Sequence, residues 1–292
     1  MEQLPSIEAV ASAKEETLYK LWEGLGYYSR VRNIQKGARY ILEKHGGKVP
    51  ESEQELLQVP GLGPYTANAI LCFAMKKRAY PVDANVIRVL ARIYKYQERV
   101  DTSAGKNFIR DKLVEWVPEN DPHLVAEGLI EFGQKICAKI PACNSCFLRN
   151  QCSGREKALQ LPIKKTPPKI TKLKREVAIC IKQERVFLFK EQSGGIMEGL
   201  WQFPYGDIGF TNRKHVAKTF APIVHGFTRF HVTLFPIVLL DQVVEIEQKG
   251  EWIALKDIPK LSFSSGHRKI AQMITEKKFI DSLLHTSVNS PT

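Results

Sequence analysis

Four cysteines fall within sixteen residues, at Cys137, Cys143, Cys146 and Cys152, in the spacing C-x5-C-x2-C-x5-C. Thiolates this near in sequence can ligate a [4Fe–4S] cluster or a structural zinc, and the spacing does not choose between them. A second candidate is Val59-Pro60-Gly61-Leu62-Gly63-Pro64-Tyr65-Thr66-Ala67. Two glycines one residue apart between helical segments permit a tight hairpin whose backbone approaches another backbone closely. The helix after it begins with free N–H groups, which can hold a phosphate without reading sequence; a plain turn is the alternative. In Ala79-Tyr80-Pro81-Val82-Asp83-Ala84-Asn85-Val86 a single acid stands just ahead of a helix, where it is expected to act as the N-cap.

The elements that position these groups are predicted to be mostly helical over residues 6–150. Leu18, Leu21, Trp22 and Leu25 recur at i, i+3, i+4 and i+7, a helical face. Thr66 to Met75, Asn85 to Tyr94 and Glu127 to Cys137 are read as further helices, with Gly/Pro punctuation at Gly46-Gly47, Gly61-Gly63 and Pro81. From Leu161 to Arg175 the chain reads LPIKKTPPKITKLKR, with three prolines and six basic residues. This is an extended linker, either a solvated tether or a segment suited to lie near a phosphate backbone. Beyond it the period shifts to two, in Val177, Ile179 and Ile181 and again in Phe230, Val232 and Leu234, with a closing helix near Lys269 to Lys277. The second domain is therefore expected to be α+β, and no internal repeat is visible.

At 292 residues the chain is long enough for two domains with separate cores. A formal net charge of +12 favours polyanionic partners, although it also suits a generically basic protein. No segment approaches the roughly 18 apolar residues of a membrane span, and the first residues lack the apolar stretch of a secretory signal. An intracellular, reducing setting follows as the expectation, in which clustered cysteines are better explained by a metal or cluster than by disulfides. Cys72 and Cys180 stand apart from that group and are expected to be buried apolar residues.

Hairpin, helix, Pro81 and Asp83 at this spacing resemble the helix–hairpin–helix DNA glycosylase superfamily. The resemblance implies that Asp83 faces the sugar of a flipped-out nucleotide and supports the positive charge left there as the N-glycosidic bond breaks. Tyr65 stands where the strand-cutting relatives carry a Schiff-base lysine, which speaks against an endonuclease III-like lyase and matches the monofunctional adenine glycosylases. The stretch Leu21-Trp22-Glu23-Gly24-Leu25-Gly26-Tyr27-Tyr28-Ser29-Arg30-Val31-Arg32-Asn33 is similar to the loop of the MutY family of adenine DNA glycosylases that presses a tyrosine into the duplex. By that resemblance Tyr27 is the wedge, Arg30, Gly61 and Gly63 contact phosphates, Glu127 binds the adenine, and Asn85 orders the catalytic site. Residue types alone would also allow a core aromatic pair at Tyr27 and Tyr28 and a solvated surface charge at Glu127.

The same family usually carries C-x6-C-x2-C-x5-C for a structural [4Fe–4S] cluster; the first gap here is one residue shorter. Iron is thus implied over zinc, with Lys135, Lys139 and Arg149 charging the loop. Gly199-Leu200-Trp201-Gln202-Phe203-Pro204 and His225-Gly226-Phe227-Thr228-Arg229-Phe230-His231 resemble the family's Nudix-like domain, which reads the oxidised guanine opposite the adenine. Phe227, Thr228 and Arg229 stand where Phe-Ser-His is usual. Asn212 to Phe220, NRKHVAKTF, contains no carboxylate, so recognition rather than metal-dependent hydrolysis is implied. The implied fold is a mainly α helix–hairpin–helix glycosylase domain with an iron–sulfur loop (1–155), a basic linker (156–175) and an α+β Nudix-like domain (176–285). The implied partner is double-stranded DNA with A:8-oxoguanine or A:G mispairs, bound by a monomer in the bacterial cytoplasm, or in the nucleus or mitochondria of a eukaryote. The family's catalytic glutamate lies in a segment like E-[IV]-M-L-Q-Q-T that these residues do not contain. Glu55-Leu56-Leu57-Gln58 is a near match in a different helix. A lesion-binding module without catalysis is the alternative this raises.

Overall fold

The computed structural model describes residues 3–192, 194, 197–211, 216–240, 244, 249–276 and 279. Contacts divide the chain into two compact units, Met1–Ala11 with Lys36–Pro167, and Ser12–Gln35 with Pro168–Thr292. The expected boundaries differ on two counts. The stretch Ser12–Gln35 joins the second unit, and the division falls at Pro167/Pro168, inside the segment read as a linker.

The helices in chain order are α1 (Ile7–Ser12), α2 (Glu15–Leu21), α3 (Ser29–His45), α4 (Glu53–Leu56), α5 (Pro64–Ala69), α6 (Ala84–Ile93), α7 (Ser103–Trp116) and α8 (Pro122–Lys135). Helix α5 continues as a π-helical turn over Ile70–Ala74. In the first unit, Val86, Val89 and Leu90 of α6 pack against Ile109 and Leu113 of α7 and Leu129 of α8. Such i, i+3, i+4 spacing gives α6 one apolar face, and each fully buried aliphatic side chain contributes about 1.5–3 kcal/mol. Helix α8 starts at Pro122, five residues ahead of the expected Glu127, because Pro122 is well placed in a first helical turn.

Two sequence expectations are corrected here. The face of Leu18, Leu21, Trp22 and Leu25 does not persist: α2 ends at Leu21, Gly24 and Gly26 adopt positive φ, and Leu21 and Leu25 are exposed. The basic linker is also largely structured. Arg155–Lys157 form a 3₁₀ turn, Ala158 and Leu161 are buried, Val100 N donates to Ile163 O, and strand β1 already begins at Thr171.

The second unit is built on one sheet of β1 (Thr171–Lys182), β2 (Arg185–Lys190), β3 (Trp201–Gln202), β4 (Tyr205–Gly206), β5 (Val216–Thr219), β6 (Ile223–Phe227), β7 (Phe230–Leu240) and β8 (Gly250–Ala254). The central pair β1 and β7 is parallel, from Thr171↔Phe230 to Ile181↔Leu240, and the other pairs are antiparallel. Both faces of β1 are covered. Val177, Ile179 and Ile181 face one core, which holds Ile270 and Ile274 of α9 (Ser265–Thr275), while Ala178 and Cys180 face another with Phe187 and Trp252. Lys277 at the end of the predicted closing helix, residues 212–215 of the carboxylate-free stretch, and 280–285 of the expected domain lie outside the described residues. Of the described remainder of that stretch, Val216–Thr219 is strand and Phe220 follows it.

His267 of α9 is buried, its Nδ1 accepts from Phe203 N at 3.1 Å, and its ring stacks on Phe203. Burial, with a smaller push from His225, holds its pKa down at about 3, against 6.5 for an ordinary histidine. Between those values the unfolded chain binds a proton that the fold refuses, so stability must fall as pH drops from about 6.5 towards 3. His225, lowered by its own burial and by Lys269, acts in the same direction. Urea unfolding followed at about pH 7.5 and 5.5 should show a loss on the order of 1–2 kcal/mol in this unit. His267→Asn, whose amide oxygen can still accept from Phe203 N, should flatten that dependence; an unchanged slope in this variant would refute the assignment.

Candidate active site

The hairpin forms because Gly61, at φ +89°, takes a conformation costly to other residues, and Leu62 N donates to Val59 O at 3.1 Å. Gly63 is the extended N-cap of α5, with Pro64 at its first position. Asn68, which the sequence reading passed over, locks this hairpin to the segment bearing the acid. It is buried, its Nδ2 donates to Glu53 Oε1 and Pro64 O, and its Oδ1 accepts from Tyr80 N at 2.9 Å. An amide in the middle of an otherwise apolar helix was the available signal. Glu55 is structural: it bonds Ser52, the N-cap of α4.

Asp83 caps α6 as the sequence indicates. Its Oδ1 accepts from Asn85 N at 2.8 Å and Val86 N at 2.7 Å, and its Oδ2 accepts from Asn85 Nδ2 at 2.6 Å. The carboxylate is thereby held in one orientation, half-buried. Tyr65 lies within electrostatic reach of it: partial burial first, then the Asp83 charge, push the phenol pKa up. Asp83, Asn85 and Tyr65 are thus brought together. Glu127 is exposed on α8, and no hydrogen bond or ion pair among the described residues joins it to Asp83 or Tyr65.

Two arginines of α6 extend the arrangement to the cysteines. Arg88 Nη2 donates to Asn85 Oδ1 at 2.8 Å and to Gly133 O at 2.5 Å, and Arg88 Nε donates to Cys137 O at 2.8 Å. A Cβ on Gly133 would lie 2.7 Å from Asn85 Cβ, so only glycine lets α8 approach this closely. One turn along, the buried Arg92 donates to the carbonyls of Cys137, Ala138, Lys139 and Leu161 at 2.7–3.2 Å and to Cys137 Sγ at 3.4 Å. Its own carbonyl accepts from Gly154 N. Neither arginine was legible as a site residue, since a helical arginine is usually surface charge.

Cys137, Cys143, Cys146 and Cys152 line one cavity together with Arg92 and Arg149. As a free thiol Cys152 is pushed up in pKa by burial, against the Gly154 backbone, and further by the three other cysteines. Among the described residues no three ligand-type side chains stand as a ready single-ion site. The donor set nonetheless suits an anionic thiolate centre. A buried guanidinium bonded to four carbonyls and one cysteine sulfur, with no carboxylate partner among the described residues, is electrostatically incomplete, and four converging thiolates would complete it.

In the second unit Tyr27 and Tyr28 part company. Tyr28 is core, its hydroxyl donating to Phe263 O at 3.2 Å, whereas Tyr27 is exposed at φ +49°, with the exposed Arg30 guanidinium 5.0 Å from its ring centroid. A left-handed aromatic residue is strained, and such strain aims a side chain. Thr228 has the same φ at the turn between β6 and β7. Tyr27, Arg32, Met197, Phe227 and Thr228 line one cleft of about 670 Å³, while Arg229 stands over the Phe230 ring instead.

No helix among the described residues is long and apolar enough to cross a membrane. Residues 1–119 match the family model of the HhH-GPD superfamily of base excision DNA repair proteins, and residues 176–273 match that of the NUDIX domain. Similar proteins include the adenine DNA glycosylase of Buchnera aphidicola subsp. Baizongia pistaciae, 32% identical over 208 residues that cover 70% of this chain and 59% of the relative. That of Rattus norvegicus is 36% identical over 55% of this chain and 31% of its own length. Endonuclease III of Thermotoga maritima is 35% identical over 50% of this chain and 67% of its own. A solved non-covalent endonuclease III–DNA complex is 29% identical, with a TM-score of 0.48 over 55% of this chain and 73% of that one. The chain therefore spans less than two thirds of the two glycosylases just described.

Proposed function

The chain belongs to the HhH-GPD superfamily of base excision DNA repair proteins, in its adenine DNA glycosylase branch, and from that premise we propose that it hydrolyses the N-glycosidic bond of adenine mispaired with 8-oxoguanine or guanine. The observation that carries this reading is the Asp83 carboxylate, fixed by Asn85 and the start of α6 beside a Gly-x-Gly hairpin and a tyrosine. A carboxylate held in advance needs no reorganisation as positive charge grows on the sugar. Tyr65 offers no amine for a Schiff base, so water completes an abasic site without strand cleavage.

Recognition divides between the units. The Gly61–Gly63 hairpin, through the N–H groups of Gly63, Tyr65 and Thr66 at the start of α5, and the cations Arg30, Lys135, Lys139 and Arg149 take phosphates, which set position without reading sequence. Glu127 contacts the extruded adenine, Tyr27 replaces lost stacking, and Phe227, Thr228 and Arg229 read the opposite base. Cys137, Cys143, Cys146 and Cys152 hold a [4Fe–4S] cluster, with zinc as the competing occupant. When bound, the cluster supplies a cross-link and negative charge facing Arg92, and metal analysis after anaerobic reconstitution separates the two metals.

The deciding experiment offers the chain a duplex with one A:8-oxoguanine pair. Free adenine should appear, the strand should break only after alkali, and borohydride should trap no adduct on abasic DNA. Mispair binding without adenine release at high protein concentration would leave a lesion-binding module; strong trapping would make the protein a lyase.

A further inference from the structure

The free part of the Tyr27 loop is short. Only Gly24 to Tyr27 project, with Leu25 and Tyr27 both 69% exposed, because the residues on either side are gripped by one buried strand-like segment of the second unit. Glu23 Oε1 accepts from Phe263 N at 3.1 Å, and Tyr28 Oη donates to Phe263 O at 3.2 Å. The two flanks of the loop thus hold the N–H and the carbonyl of a single residue, the fully buried Phe263. Glu23 Oε1 also accepts from Arg268 Nε at 2.6 Å and from Arg268 Nη2, and its Oε2 accepts from Lys20 Nζ at 2.8 Å. Arg268 Nη2 and Lys20 Nζ in turn donate to Leu261 O. The Glu23 and Arg268 side chains are 17% and 16% exposed.

Resting on the reading of Tyr27 and Phe227–Arg229 as recognition elements, we propose that Glu23 and Arg268 are positioning residues that fasten the Tyr27 loop to the domain bearing the Phe227–Arg229 turn, so that wedge and turn meet the mispair as one preassembled cleft. Neither residue lines that cleft; Ser264 and Ser265, directly after the gripped Phe263, do. The clamp therefore acts through backbone placement. Trp22 Nε1, donating to Gly26 O at 2.8 Å, stiffens the loop from within, and the positive φ of Gly24 and Gly26 lets it turn back within four residues. Burial pushes the Glu23 carboxyl up, and the hydrogen bonds from Lys20, Phe263 and Arg268 outweigh it, leaving the pKa below the ordinary value. The ionised form is thus the one the clamp holds. A partly buried pair with this many bonds is sensitive to loss of one partner, since the other is left desolvated.

The test has one arm without DNA and one with it. Hydrogen exchange on the full chain should show faster amide exchange over residues 24–28 in Glu23→Gln and in Arg268→Gln, with β1 protection intact as the control for folding. Unchanged exchange over 24–28 in both variants would overturn the clamp, whatever the protein does to DNA. In binding assays the preference for an A:8-oxoguanine over an A:G duplex should fall roughly tenfold in Glu23→Gln. That loss should vanish in a Tyr27→Ala background, because the two residues act through one ring. A loss that persists undiminished beside Tyr27→Ala would also overturn the proposal. Should the unsubstituted chain show no preference between the duplexes, the lesion-reading assignment fails and the exchange arm still decides the clamp.

Discussion

Asp83→Asn is expected to slow single-turnover adenine release from an A:8-oxoguanine duplex by roughly 10²–10³-fold, the range seen when one preorganised charge-stabilising group is removed. The helix cap itself should survive, because asparagine and aspartate are equivalent as N-caps and an amide oxygen can still accept from Asn85 N and Val86 N. The second oxygen is the complication. Asn85 Nδ2 donates to Asp83 Oδ2, where the variant would present an NH₂ group, and Asn85 cannot turn over freely while its Oδ1 holds Arg88. Donor would face donor, at a cost of about 1–3 kcal/mol. Asp83→Ser separates the two effects, since it keeps a capping oxygen and brings no second donor. If charge is the working quantity, both variants lose rate. Were Asp83→Ser to retain the parent rate, the loss in Asp83→Asn would belong to the disturbed Asn85–Arg88 contact, and the sugar-facing role would be gone. Full activity in both would remove the proposed mechanism.

That network also marks where the sequence could and could not be read. Asp83 was legible because its effect is local: an acid followed by a helix caps it, two and three residues on. Alternation over Val177–Ile181 was legible for the same reason, and the burial of Ala178 and Cys180 on the other face follows from a parallel partner, β7, that begins 59 residues after Thr171 in the register Thr171↔Phe230. The missed residues are polar groups whose partners are remote. Asn68 reaches Tyr80, Arg92 reaches Cys137 and Leu161, and Glu23 reaches Arg268 across 245 positions. A periodicity argument assigns such residues to solvent because it has no means of supplying the partner.

The two misread segments have their own causes. Leu21 and Leu25 keep helical spacing, yet Gly24 and Gly26 adopt positive φ and end the helix before that spacing can form a face. At the linker, charge concealed a strand. Lys172 and Lys174 alternate with Leu173 and Arg175, and only the first pair is exposed, which is strand patterning written in basic residues. The contiguous reading also assigned Ser12–Gln35 to the first domain, since nothing local signals that Glu23 and Tyr28 both bond Phe263.

Arg92→Met is expected to cost the first unit on the order of 3–5 kcal/mol, since several buried carbonyls lose their donor at about 1–3 kcal/mol each and the losses are not additive. The guanidinium is 2% exposed and fastens three successive carbonyls, those of Cys137, Ala138 and Lys139, together with Leu161 O from the far end of the unit. Methionine fills similar volume and returns none of those donors, so several carbonyls near the cysteine cavity lose their partners at once. Arg92→Lys should fall between, because one ammonium on a flexible stem cannot span four acceptors that a planar fork reaches together. The cysteine loop should respond along with stability. Cys137 is held through both its carbonyl and its sulfur, so releasing it should lower metal content after reconstitution in step with the urea midpoint. The Arg88 bond to Cys137 O gives the same release a path to Asn85 and the acid. If Arg92→Met left both the midpoint and the metal content at parent values, the loop would have to be organised by its own turns, and the buried cation would have no part in shaping it.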